Sequence, residues 1–255
     1  MSKQVAKVDN QKTELAAYTG GMNDFGFDTA TTNDIKVPLI FVAQGLSKIV
    51  DQGLAQNGDI VENLENQVIA KKGGTAKFVP FFFQKSYQVQ YLKNGKKEFF
   101  GNEAWDGERE YETKGKDRNG VETTFFNVPS FNFFVFREND PNHTRYVLPF
   151  RGSRNISKGG KVVLSQLISK MQGATPQPPY NFVIEVGVEQ VENEKGKWYI
   201  MNAKLSKDST TDNNTRAAAA QAAADIKAMF AAGMTIDTSE AGGDEPEATT
   251  KKNNW

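Results

Sequence analysis

FVPFFFQKSYQVQYLKNGKKEFF, residues 78–100, is the stretch whose reading decides the fold. Phe81, Phe83, Tyr87, Val89 and Tyr91 alternate with Phe82, Gln84, Ser86, Gln88 and Gln90. A period of two places the two sets on opposite faces of one extended strand. Lys93-Asn94-Gly95-Lys96 closes the run, and Asn-Gly suits a tight hairpin because both positions tolerate positive φ. A second aromatic block, FFNVPSFNFFVF (125–136), is followed by the turn ENDPN and another strand, RYVLPF (145–150). Pro80, Pro129 and Pro149 lie inside these runs. Proline donates no ladder hydrogen bond, so each marks an edge or a bulge rather than a flat central strand.

Outward from this block the pattern stays mainly β. The apolar run Val37 to Val42 reads as a buried strand broken by Gly45, and GDIVENLENQVIAKKGG (58–74) as a short hairpin pairing Ile60-Val61 with Val68-Ile69. Ser157 can cap one helix whose stripe is Leu164, Leu167, Ile168 and Met171. NFVIEVGVEQV and WYIMNAKLS form a hairpin around Asn193–Gly196, with Phe182, Ile184, Val186 and Val188 on one face. TRAAAAQAAADIKAMFAAG is an alanine-rich helix ended by Gly233. Its thin stripe of Ile226, Met229 and Phe230 predicts weak docking or pairing with a partner. Seven to nine strands with one embedded helix predict a mainly β chain with minor α, built as an OB-like curved antiparallel β-barrel with the alanine-rich helix trailing it. The expected layout is a flexible arm over 1–33, the barrel over 34–206, a linker and helix over 207–233, and a disordered acidic tail over 234–255.

Composition narrows the function. The 255 residues carry 31 Lys+Arg against 31 Asp+Glu, no cysteine and one histidine. Disulfides, cysteine-bound metals and thiol catalysis are excluded. His143 lies in a turn, NDPNHTR, with no nucleophile motif beside it. RGSRNISKGGKVV sits where a phosphate loop would, but Asn155 and Val162 stand where that motif needs glycine and a hydroxyl. A generic anion site near Lys158 and Lys161 at a helix N-terminus stays open on sequence alone. The acids of 98–112 lack calcium-loop spacing. No apolar stretch suits a signal peptide or a membrane span. The expectation is a cytoplasmic, non-enzymatic protein without a metal or cofactor.

The zero net charge is sharply zoned. Residues 66–97 hold seven lysines and no acid; residues 141–184 hold six cations and no acid. Both zones overlap the aromatic strands. A cationic groove follows a nucleic-acid backbone while aromatic rings stack on exposed bases, which only single strands present. The candidate contacts are Lys85, Tyr87, Tyr91, Lys93, Phe131, Phe133, Arg137, Arg145, Arg151, Arg154, Lys158, Lys161 and Trp198. Most of the eighteen phenylalanines read as core, whereas Trp198, Phe131 and Phe133 read equally well as core or as groove.

A β domain, a polar linker and an acidic C-terminus with Asp244, Glu245 and Glu247 ending in Trp255 resembles bacterial and phage single-stranded-DNA-binding proteins. Lys251 and Lys252 and the ending NNW depart from the usual acidic-aromatic terminus. The stretches KVPLIFVAQGLSKIV, GDIVENLENQVI and FVPFFFQKSYQVQYL are also similar to small proteins of tailed-phage replication modules. The resemblance implies a sequence-tolerant single-stranded-DNA-binding protein of phage DNA replication or recombination. Its tail would recruit replication proteins in the host cytoplasm, and a second copy of the chain is a further candidate partner. The alternative is a non-enzymatic virion structural or adaptor protein.

Overall fold

The computed structural model describes residues 38–231, apart from 46, 94, 195 and 208–210. The expected N-terminal arm and the acidic tail with Asp244, Glu245, Glu247 and Trp255 lie outside the described residues.

Two long antiparallel strands form the axis. They are β4 (Ala76–Lys93) and β7 (Glu122–Arg137), paired from Phe78↔Arg137 to Tyr91↔Phe125. Different strands flank the two halves of this ribbon. At its root lie β8 (Tyr146–Arg151) beside β7, and β9 (Ile184–Asn193) with β10 (Gly196–Leu205) beside β4. Farther along, β5 (Lys96–Ala104) takes the β4 edge and β6 (Glu112–Lys116) the β7 edge. The root is thus a five-stranded body, and the other half is a four-stranded arm. A separate small sheet joins β1 (Ile40–Val42), β2 (Ile60–Glu62) and β3 (Val68–Ala70). The chain is mainly β with minor α, as its sequence predicts. The described sheets do not close into a barrel.

The prolines explain the changeover. Pro80 falls between the end of the β9 ladder at Phe78 and the start of the β5 ladder at Ser86. Pro129 falls between the last β6 pair at Phe126 and the first β8 pair at Ser130. A missing N–H costs least where an outer edge has no neighbour to bond. Between Pro80 and Phe82 the register also shifts, and a bulge reverses the face of the residue it inserts. Phe81 therefore packs with Val79, Phe134 and Phe136, not on the face of Phe83 where strict alternation puts it.

Each face of the body is covered. On one, Phe78, Phe133, Leu148, Phe150 and Ile184 are buried against the small sheet and a helical run. That run comprises α2 (Gly152–Asn155), a π-helical turn (Ile156–Gly160) and α3 (Lys161–Met171). On the other face lies the alanine-rich α4 (Asn213–Ala231), with Ala219, Ala222 and Ile226 buried. Alanines let the helix approach the sheet closely, and Phe230 stacks on Phe82 at 5.8 Å. Arg145 Nη2 donates to Asp225 Oδ2 at 2.5 Å, adding a charged tie. α4 is therefore a structural layer of the sheet, not a weakly docked appendage.

The body's β10 edge is capped by side-chain amides. Gln44, Asn155 and Gln166 accept from the backbone N–H of Tyr199, Met201 and Leu205. Such capping satisfies buried donors and blocks edge-to-edge association. An analogous role falls to Asp59, fully buried in the small sheet. It accepts from the backbone N–H of Gln56 and Lys72 and from Lys71 Nζ.

Candidate nucleic-acid interface

The glycine pair in RGSRNISKGGKVV serves packing. Helix begins at Gly152, so Lys158 and Lys161 lie inside the run rather than at its N-terminus, and Ser157 turns its hydroxyl back to the Arg154 carbonyl. A Cβ on Gly159 would lie 2.2 Å from the Phe150 ring, and one on Gly160 would meet Phe131 and Phe150 at 3.1–3.2 Å. The π turn inserts a residue and rotates the helix face. Ile156, Val163 and Leu167 are buried in consequence, while Ile168 and Met171 of the expected stripe stand exposed.

The sequence-derived contact residues do not gather into one groove. Phe131 and Phe133 are body core, and Trp198 is 7% exposed with the Arg154 guanidinium 5.0 Å from its ring. None of the three rings is an open stacking surface. Arg137 donates to Gln67 Oε1, Arg145 ties down α4, and Lys158 faces Glu189 at 3.7 Å. Arg151, half-buried, ends β8, and Lys161 is exposed on α3.

Lys85, Tyr87, Tyr91 and Lys93 do share one face, spread along β4. From Phe83 onward the alternation holds, so Lys85, Tyr87, Val89 and Tyr91 share one face with Phe125 and Phe131 across the ribbon. Tyr87 is 2% exposed and lies under the Trp105 ring, stacked at 4.7 Å and 19°, while Trp105 itself is 37% exposed. Lys85 Nζ sits 5.2 Å from the Phe131 ring and 5.8 Å from Trp105. The Arg109 guanidinium lies 5.2 Å from the Tyr87 ring and is held by Glu103 and Asp106. Asp106 also accepts from the backbone N–H groups of Glu108 and Arg109, each at 3.2 Å, which fixes the turn that carries Trp105. These bonds hold the Asp106 carboxyl below its ordinary pKa, the Glu108 N–H first among them. Burial pushes the Tyr87 hydroxyl up. Farther out, Tyr91 and Lys93 both reach Glu98, at 3.2 and 3.0 Å.

Sequence reasoning passes over Trp105 and Arg109 because they lie in the acidic stretch 98–112. The available signal is Asp106-Gly107 directly after Trp105. That pair makes a turn, with Gly107 at φ +84°, which places the ring at the surface. The arm can therefore offer a preorganised aromatic plane with cations beside it, which is the chemistry of base stacking with phosphate neutralisation.

Among the described residues no group of three or more acidic or histidine side chains could hold a metal ion. No described helix is long and apolar enough to cross a membrane. The chain is that of a bacteriophage protein. Residues 8–234 match the model of the Pam3 phage gp34-like protein family, and the chain belongs to that family. No curated protein and no solved structure matches it.

Proposed function

We propose that this phage protein binds single-stranded DNA with little regard to sequence, in phage DNA replication or recombination, and carries out no chemistry on it. The observation that supports the reading is the Trp105 ring. It is 37% exposed, is stacked on buried Tyr87, and has Lys85 and Arg109 close by. A ring fixed in this way loses little freedom when a base stacks on it, so most of the contact energy is retained as affinity. The alternative, a virion structural or adaptor protein, draws on a different observation. Several cations already pair with carboxylates, among them Lys93 with Glu98 and Arg109 with Glu103, which leaves a surface of mixed sign suited to protein.

Titration with single- and double-stranded oligonucleotides at two salt concentrations tests the choice. Trp105→Ala is expected to cost about 1–3 kcal/mol of single-strand affinity at the site that this ring forms, and binding should weaken at the higher salt. A variant that binds as many single strands as the parent and as tightly, or equal affinity for duplex, overturns the stacking reading. No binding of either form favours the adaptor.

A further inference from the structure

The arm has a second aromatic–cation cluster on its other face. Phe125 and Phe126 are neighbours in β7 and so point to opposite sides. Phe125 packs with Tyr87, Val89, Tyr91 and Phe100, on the Trp105 side. Phe126 meets Tyr111 at 5.7 Å and lies under Lys97, whose Nζ is 3.9 Å from its ring. Lys97 also reaches the Tyr111 hydroxyl at 3.2 Å and lies 5.6 Å from that ring. Tyr111 is 45% exposed. Its position is fixed from below as well, because its carbonyl accepts from the Asn127 N–H at 2.7 Å just beyond the β6 ladder.

Each cluster has the same parts in the same order: a buried ring from the ribbon, an exposed ring stacked or leaning on it, and a cation against the pair. On the first face these are Tyr87, Trp105 and Lys85; on the second they are Phe126, Tyr111 and Lys97. One sheet layer separates them, so a single short strand cannot lie flat on both. A strand touching both would have to pass around an arm edge, whereas two separate strands can each take one face.

We infer that the arm carries two independent base-stacking stations back to back, Trp105 on one face and Tyr111 on the other, so that one protein molecule holds two single strands at once. The inference rests on the single-strand reading above. It adds a second site and a consequence: two bound strands are brought side by side across the arm, as pairing of complementary strands requires. Lys97 supplies the charge for a phosphate on the second face, and Tyr111 the ring for its base.

Calorimetric titration with an oligothymidylate of about eight nucleotides, within the usual span of one such site, counts the stations. The full chain is expected to take two oligonucleotides per protein. Trp105→Ala and Tyr111→Ala should each leave one, with the remaining affinity within about twofold, and the double variant should leave none. Both rings are exposed enough for the variants to stay folded, which thermal melting verifies. As a second readout, two strands carrying donor and acceptor dyes should show energy transfer with the full chain and lose it in Tyr111→Ala. A single site that is lost with Trp105→Ala and kept with Tyr111→Ala overturns the second station and leaves the functional reading standing. Absence of any binding overturns both.

Discussion

Gly159→Ala puts the packing account of the glycine pair at risk. Alanine is the better helix former by about 1 kcal/mol, so on local preference alone the substitution should stabilise the run from Gly152 to Met171. The new methyl, however, would lie 2.2 Å from Phe150 Cε1 and 2.6 Å from Cδ1, far inside van der Waals contact. Phe150 cannot swing away cheaply, since it is fully buried and edge-on to Phe133 at 5.8 Å and 88°. Overpacking of a tight core costs about 1–3 kcal/mol, and a contact this close belongs at the upper end. The net expectation is a loss of about 2 kcal/mol. Gly101→Ala is the control, because a methyl there would have nothing within 4 Å. It should change stability by about 0.5 kcal/mol or less. Urea denaturation reads both as midpoint shifts at constant slope. A Gly159→Ala protein as stable as the parent, or more so, refutes the argument that close approach to Phe150 dictates glycine there.

Trp198→Ala should cost about 3–5 kcal/mol of stability, as expected for a ring this buried, and leave single-strand affinity of the folded protein unchanged; lost affinity with an unaltered melting temperature would return Trp198 to the interface. Asn155→Ala removes the acceptor for the buried Met201 N–H and should cost about 1–3 kcal/mol, read by denaturation, whereas a neutral result would mean the β10 edge finds another partner. Burial works to raise the pKa of Asp59, but hydrogen bonds from Gln56, Lys72 and Lys71 hold it below its reference value of 3.8. The fold thus favours the carboxylate. Its contribution is complete above the unfolded value and disappears as pH falls through the folded one. Denaturation midpoints should therefore drop steeply below about pH 4, and Asp59→Asn should flatten that drop while lowering stability at neutral pH; an unchanged acid limb would remove Asp59 from the account.

The strands and their turns were legible in the residues alone, because period-two alternation and Asn-Gly, Asp-Pro and Gly-Gly breaks are local signals. β2, β3, β4, β7, β8, β9, β10 and the alanine-rich helix all fall where that pattern puts them. β6 was not legible: ETKGK carries no apolar alternation, and it is a strand because the β7 edge beside Phe125 and Phe126 is available to it. Closure was not legible either. An open sheet with an arm and a curved barrel share one strand pattern, and only the changeover of outer strands at Pro80 and Pro129 separates them. The zoning of charge and the richness in aromatics are fixed by the sequence. Which rings reach solvent is decided by tertiary structure, since burial depends on what covers each face. Helix and small sheet cover Phe131 and Phe133, and Arg154 lies against Trp198. Trp105 and Tyr111 remain exposed on the arm because the turn at Asp106-Gly107 and the start of β6 bring them to opposite sides of a single layer of strands.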